Sequence, residues 1–273
     1  MAPSISISVP IVHGTHLKEC IESIFSNTFQ DFELIVNDSS GSEGVYDLLR
    51  FYDIKIIRKI TRSFEGRSLT ISASSGEKIF ILDETRLIHS DMLQKLNESK
   101  GDLIVIKERD LGDGVLTFIA NLDKRWVSKD LSAINPRRNK SIIPRVYKRD
   151  VILKALDNIN RKLPSEVVRE IVGLDLELMY LESYNISKNI EVISYPEILH
   201  YGDERFIGML KKYYRYGYSQ GILRKTAYQN FAGLGGRNRS TLPVKNKMMS
   251  LPVQLLRGVP FVAGYLKGTG GIY

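Results

Sequence analysis

Four carboxylates in this chain stand where an apolar run gives way to a loop, or where a helical pattern begins. Asp38 follows Phe32-Glu-Leu-Ile-Val36, Asp83 and Glu84 follow Lys78-Ile-Phe-Ile-Leu82, and Asp175 follows Gly173. Adjacent carboxylates such as Asp83 and Glu84 offer hard oxygen ligands suited to a divalent cation. Asp175 opens an apolar helical pattern through Leu176, Met179 and Tyr180. A helix N-terminus would keep it ionised and able to take a proton from a hydroxyl. Each residue has a plainer use. Asp38, before Ser-Ser-Gly-Ser42, suits a turn, and Asp175 suits an N-cap. Glu166, Glu170 and Glu177 compete with Asp175 for the role of base.

The elements that must position these groups alternate in period. Ser4-Ile-Ser-Ile-Ser-Val9 reads as a strand closed by Pro10. Leu17, Cys20, Ile21, Ile24 and Phe25 then recur at helical spacing behind Thr15 as a plausible N-cap, with Cys20 on the apolar face. Phe32–Val36 and Ile54–Ile57 read as strands separated by a helix through Val45, Leu48, Leu49 and Tyr52. A short helix over Ser68–Ser75 leads to a buried strand, Lys78–Leu82. Leu103–Ile106 is a further strand, and 107–140, with the only tryptophan, Trp126, is poorly patterned. Later come a strand at Ser141–Tyr147, a helix near 150–158 and a strand at Ile190–Ile193 that ends near Pro196 and His200. Strands alternating with helices imply βαβ units and a parallel sheet, whose strand-end loops form one ligand-binding edge. Those loops are Pro10–Gly14, Asp38–Ser42 and Asp83–Thr85.

The 273 residues suffice for one large domain or one domain with an extension, and one cysteine excludes an intrachain disulfide. No apolar run reaches the ~18 to 20 residues of a spanning helix. Met1-Ala2-Pro3 leads straight into the first strand pattern, so we expect no signal peptide and a cytoplasmic protein. The formal charge of +8 is unevenly spread. Residues 205–273 hold twelve basic side chains, no acidic ones and seven of the fourteen tyrosines, whereas the rest is slightly acidic. We therefore expect domains at 1–204 and 205–273. Basic and Tyr-rich sequence suits an anionic membrane surface. Gly233, Gly235, Gly236, Gly268, Gly270 and Gly271 argue against one continuous helix there.

The order of elements over about residues 4–220 resembles a family 2 glycosyltransferase, of membrane-associated prokaryotic type. Ser6-Ile-Ser-Val-Pro10 and the Leu-Lys-Glu-Cys-Ile-Glu-Ser-Ile helix resemble that family's opening strand, turn and helix. Phe32–Ser40 resembles its second strand and Asp loop, and Gly76-Glu-Lys-Ile-Phe-Ile-Leu-Asp83 the strand leading into its Asp-x-Asp motif. Gly173-Leu-Asp175-Leu-Glu-Leu resembles the later Glu-Asp motif. Ile198-Leu-His200 and Lys-Tyr-Tyr-Arg-Tyr-Gly217 resemble the closing strand end and helix. The chain departs from the family in reading Asp83-Glu84-Thr85 without the second Asp, Pro-Ile-Val-His at the opening turn, and Leu174 before Asp175.

The resemblance implies a GT-A fold: Rossmann-like α/β, with a mixed, mainly parallel sheet flanked by helices, and here a basic C-terminal extension. It implies an inverting transfer of a sugar from a nucleoside-diphosphate sugar to a hydroxyl or phosphate acceptor, lipid-linked or glycan. Pro10, Val12, Asp38, Arg67 and Asp83 would bind the donor. Asp83, Glu84 and His200 would hold Mn or Mg, and Asp175 would be the base. The extension would sit peripherally on the cytoplasmic membrane face. A nucleotidyltransferase is the competing enzyme, but Pro10–Gly14 lacks Lys and Arg. A nucleic-acid-binding protein is the non-enzyme alternative, and with an acidic body and no recognised module we expect no nucleic acid.

Overall fold

The computed structural model describes residues 2–127, 134–137, 142–202, 206–232 and 244–270. In chain order the elements are β1 (Ile5–Ile11), α1 (Leu17–Phe25), β2 (Phe32–Asp38), α2 (Glu43–Leu49), β3 (Lys55–Arg58), α3 (Ser63–Ser72) and β4 (Lys78–Ile81). There follow β5 (Arg86–Leu87), α4 (Met92–Glu98), β6 (Leu103–Leu111), α5 (Val115–Val127), β7 (Val146–Lys148), α6 (Arg149–Lys162) and α7 (Ser165–Glu170). The last four are α8 (Asp175–Ile186), β8 (Ile190–Tyr201), α9 (Phe206–Leu223) and α10 (Val244–Gly270). Packing divides them into two compact units. One comprises 1–111, 144–157 and 182–201, the other 112–143, 158–181 and 202–273. The expected boundary at 204/205 lies outside the described residues.

The first unit carries an eight-stranded sheet in the order β3-β2-β1-β4-β7-β6-β8-β5. β3, β2, β1 and β4 run parallel, as the βαβ reading implies, and β6 pairs parallel with β8. β7 is antiparallel to both β4 and β6, and β5 to β8, so the sheet is mixed. The alternation in β1 has a clear consequence. Ile5, Ile7, Val9 and Ile11 join Leu34, Val36, Phe80 and Leu82 in one core with Leu17, Cys20, Ile21 and Ile24 of α1. Each such side chain contributes roughly 1.5–3 kcal/mol when fully buried. The intervening Ser6 and Ser8 are buried too, against the opposite layer. Ser8 Oγ bonds Thr70 Oγ1 of α3 at 2.6 Å, and Ser6 Oγ accepts the Gly76 N–H. Small hydroxyls let α3 pack close while satisfying its polar groups.

Several details differ from the sequence reading. β1 continues through Pro10, because β4 pairs with it only up to Ser8 and the missing N–H is tolerated beyond that point. The cap of α1 is His16, not Thr15, and it makes no side-chain cap bond. α3 starts five residues earlier than expected, behind Arg62, again without a capping side chain. In the poorly patterned stretch 107–140, α5 occupies Val115–Val127, while 128–133 and 138–141 lie outside the described residues.

The second unit contains the long pair α9 and α10, packed along each other. Glycines lie where the backbones meet. A Cβ on Gly217 would stand 1.9 Å from the Phe261 carbonyl oxygen, and one on Gly264 would stand 2.0 Å from that of Tyr214. Gly221 and Gly268 are similarly closed by Tyr265 and Tyr218. The expectation of an interrupted extension is corrected to this extent: Gly268 and Gly270 lie within a continuous α10. Gly233, Gly235, Gly236 and Gly271 are outside the described residues.

Candidate functional site

The rim begins with the loop after β1, which carries no charged side chain of its own to fix it. Glu84 does so from the end of β4. Its carboxylate accepts the backbone N–H groups of Val12 (3.1 Å), His13 (3.0 Å) and Gly14 (2.9 Å). Gly14 sits at φ 73°, in the left-handed region that glycine enters without steric cost. Pro10 is buried in β1, whereas the Val12 side chain is half exposed.

At the end of β2, Asp38 is buried and its Oδ1 accepts the Ser40 N–H (3.0 Å) and hydroxyl (2.6 Å), the turn-forming use of an aspartate. Beside it Asn37 Nδ2 donates to Ser39 Oγ and Thr61 Oγ1. Asn37 Oδ1 is buried without a donor among the described residues. Gly66 of α3 lies against this corner, where a Cβ would meet Thr61 Oγ1 at 2.8 Å and Asn37 Nδ2 at 3.1 Å. That close approach delivers the next residue, Arg67, to the rim. Arg67 is buried, donates to Ser63 Oγ at 2.7 Å, and reaches Asp83 Oδ2 at 4.0 Å.

Asp83 is the centre of an ion-pair network. Its Oδ1 accepts the Thr85 hydroxyl (2.6 Å), and its Oδ2 pairs with Arg86. Arg86 in turn pairs with Glu108 at 3.3 Å, and Glu108 accepts Arg145 Nε at 2.5 Å. The backbone explains the convergence. Arg145 precedes β7, which runs antiparallel to β4, so its carbonyl accepts the Ile81 N–H at the strand's C-terminal end. Glu108 follows the irregularity between Ile106 and Glu108 in β6. Burial lowers the Arg86 pKa to about 10, with Arg145 and Arg67 adding to the fall and Glu108 opposing it. Below this network Cys20 is fully buried, which pushes its thiol up to about 12.

His200 lies opposite Arg86 in the β5–β8 pair, and its Nδ1 bonds Asp110 Oδ1 at 2.5 Å. The next residue, Tyr201, stacks on His16 with ring centroids 3.7 Å apart.

These positions test the expected cation site. Both Glu84 oxygens are taken by the β1 loop, and Asp83 is answered by Thr85 and Arg86. Among the described residues no group of three or more His, Cys, Asp or Glu side chains could hold a metal ion. Asp83 and Glu84, so engaged, do not fit a divalent cation, and His200 alone does not make a site for one. The structure unites Val12, Glu84, Arg67 and Asp83 along one rim, with Asp38 at the neighbouring strand end. Arg86, Arg145, Glu108 and Asp110 are absent from the sequence reading. Only Arg86, three residues after Asp83, gives a local signal.

Asp175 belongs to the second unit, where it is the first residue of α8 and is buried. The loop before it is clamped to α9: Val172 N–H donates to Ser219 Oγ at 2.9 Å, and that hydroxyl donates to the Val172 carbonyl at 3.0 Å. Gly173 (φ 83°) lies under the Tyr216 ring, where a Cβ would clash. Burial raises the Tyr216 pKa, and Glu177 and Asp175 push in the same direction. The helix N-terminus and α9 thus fix where Asp175 stands.

No family model matches the chain. Among curated proteins, a glycosyltransferase, GlyG, of Streptococcus pneumoniae serotype 4 is 26% identical over 117 residues. That match covers 38% of this chain and 39% of the relative, about two fifths of its length. Among solved structures, S. aureus TarS 1–349 is similar with a TM-score of 0.57 and 14% identity, covering 96% of this chain and 81% of that one. TarS 1–349 in complex with UDP-GlcNAc gives 0.55 at 14% identity, over 97% of this chain and 89% of that one. Glucosyl-3-phosphoglycerate synthase from Mycobacterium tuberculosis, in complex with Mn2+, UDP and phosphoglyceric acid, gives 0.52 at 15% identity, over 86% and 80%. The fold is that of the GT-A glycosyltransferases, mixed α/β with helices flanking an eight-stranded sheet.

Proposed function

We propose that this chain is a glycosyltransferase that moves a sugar from a nucleoside-diphosphate sugar to an acceptor hydroxyl. The observation that carries the reading is the rim of Val12, Asp38, Arg67 and Asp83 at the C-terminal strand ends of a GT-A sheet, the edge at which open α/β sheets bind ligands. Uridine is the base the reading favours, because TarS and the synthase were solved with UDP or a UDP-sugar. Asp38 takes the nucleoside side, and Arg67 with its neighbours takes the diphosphate. Asp175 is the base: its carboxylate accepts the acceptor's hydroxyl proton while the oxygen attacks the anomeric carbon. The bond from that carbon to the diphosphate breaks in line, the electron pair leaves with the diphosphate, and the anomeric centre inverts.

Thermal melting against a panel of nucleotide sugars, with EDTA, Mn2+ or Mg2+, tests donor binding, since a ligand bound to the folded state raises its stability by mass action. If no nucleotide sugar shifts the melt in any of these conditions, the reading is wrong. Asp175→Asn should keep donor binding and lose transfer by about 100-fold or more, the scale of general base catalysis. Full turnover in that variant would move the base to Glu177, Glu170 or Glu166.

The acceptor side of the reading is a lipid-linked or glycan acceptor met at the cytoplasmic membrane face. The support lies in α10, where Leu255, Val259, Val262 and Leu266 recur at helical spacing and are 60%, 70%, 44% and 62% exposed. Lys211, Arg215 and Tyr214 of α9 line a shallow groove with Leu210 and Pro260 in the same unit. An exposed apolar stripe beside basic side chains suits an anionic bilayer surface rather than water. No helix of the described residues is long and apolar enough to cross a membrane. Flotation with anionic vesicles should recover the protein at low salt. It should fail for a Val259→Ser, Leu266→Ser variant, and equal recovery of both would remove the membrane from the reading.

A further inference from the structure

We propose that Arg86 and Arg145, together with Arg67, form a built anion site that takes the donor's diphosphate in place of a divalent cation. The inference rests on the reading of the rim as a donor site and deepens it, because it names what neutralises the leaving group.

Three observations carry it. The first is the composition of the network: the guanidiniums of Arg67, Arg86 and Arg145 gather around the carboxylates of Asp83 and Glu108 at one strand end. The second is burial. The three arginines are 8%, 8% and 6% exposed, and arginines are seldom buried so deeply unless something answers their charge. The third is an open donor: Arg145 Nη1 is buried with no acceptor among the described residues, although Nε of the same guanidinium is held at 2.5 Å by Glu108. An orphaned donor on an oriented, desolvated guanidinium is a group made to receive an anion.

The location fits the same ligand. Asp83, the most accessible member of the network, follows the strand end of β4, and Arg145 lies across from Ile81 at that end. A planar guanidinium offers paired N–H donors that match phosphate oxygens, and being fixed in place it needs no reorganisation when negative charge develops on a departing diphosphate. Glu108 acts as a positioning residue, since it holds Arg86 and Arg145 together. In the resembling family the second Asp of the motif would add a negative group here. This chain has Thr85, whose hydroxyl donates to Asp83 instead.

The test uses the full chain with inorganic pyrophosphate, UDP and a panel of nucleotide sugars, each titrated by calorimetry in excess EDTA and again with Mn2+. Pyrophosphate and UDP should bind in EDTA, Mn2+ should change their affinity by less than about twofold, and salt should weaken both. Arg145→Gln should lower pyrophosphate affinity in EDTA by about 10-fold or more, as expected for the loss of a charged hydrogen bond, and Arg145→Lys by less. A metal-free melting temperature within a few degrees of the parent identifies Arg145→Gln as folded. Should it unfold, Arg145→Lys carries the comparison, and its loss of bidentate geometry must still weaken pyrophosphate. Binding that requires Mn2+, or arginine variants that bind pyrophosphate like the parent, would overturn the inference while leaving the glycosyltransferase reading intact. Pyrophosphate binding without any nucleotide-sugar binding would do the reverse.

Discussion

Removing the Glu84 carboxylate separates two roles that the sequence alone could not. Glu84 is 7% exposed and accepts three backbone N–H groups from Val12, His13 and Gly14 at 2.9 to 3.1 Å. A hydrogen bond to a charged group contributes roughly 1.5–3 kcal/mol, so three would nominally sum to more than about 5. Val12 is half exposed, so water can replace part of what is lost when the loop relaxes. The expected cost of Glu84→Ala is therefore about 2–4 kcal/mol, and that of Glu84→Gln about half as much, since one acceptor oxygen remains. At roughly 2–4 °C per kcal/mol for a chain of this size, Glu84→Ala should lower the melting temperature by about 5–15 °C in metal-free buffer. Nucleotide-sugar affinity should fall with it, because the loop that lines the rim loses its anchor. Melting curves in EDTA read the effect directly. If Glu84→Ala melts like the parent without metal, but loses a Mn2+-induced shift that the parent shows, Glu84 is a cation ligand and the loop-anchoring argument fails.

Two further outcomes follow from packing and from titration. Gly264→Ala puts a Cβ 2.0 Å from the Tyr214 carbonyl oxygen and should destabilise the α9–α10 pair by about 1–3 kcal/mol or more. Gly258→Ala meets nothing within 4 Å and should stabilise α10 by up to about 1 kcal/mol through helix propensity, so calorimetric melting of the two variants should shift in opposite directions. Glu33 and Glu191 are pushed up by burial, yet hydrogen bonds outweigh it and leave both below 4.5. Ser6 and Ser75 supply the bonds to Glu33, and the Lys100 and Gly101 N–H groups those to Glu191. Both therefore contribute stability above the unfolded carboxylate pKa that is lost as pH falls through their lower folded values. Glu191→Gln should flatten the drop in melting temperature as pH falls below the ordinary carboxylate range, and an unchanged slope would refute the assignment.

What could be read in advance follows the reach of local pattern. β1 and α1 were legible because their apolar residues repeat at periods of 2 and 3.6, and β2 because a short apolar run ends in a loop. β5 was not, since two residues carry no period, and its existence depends on Arg86 and Leu87 meeting His200 and Leu199. The glycines of the extension read as helix breakers because propensity charges each about 1 kcal/mol in isolation. In the fold, Gly268 lets α10 meet the α9 backbone at Tyr218, and that packing outweighs the propensity. The carboxylates of the rim were visible as strand-end residues, but their partners were not. Arg145 precedes β7, which the sequence offers as a strand without its antiparallel direction, and the Glu84 bonds are to backbone groups that sequence does not mark.

On the proposed reading of the rim, the segment Asp83-Glu84-Thr85-Arg86 sets the sign of charge it favours. Each carboxylate here is already answered: Glu84 by three N–H groups, Asp83 by Thr85 and Arg86, Glu108 by Arg86 and Arg145. A divalent cation would have to displace Arg86 from Asp83 and then lie near a buried guanidinium. At a separation on the order of 5 Å and an effective dielectric of about 20, that repulsion alone is about 7 kcal/mol. An anion meets carboxylates that are each already paired with a guanidinium, and Arg145 Nη1 has no acceptor among the described residues to compete with it. On the proposed anion site, a threonine that donates to Asp83 and an arginine that pairs with it together favour phosphate over a cation at this turn.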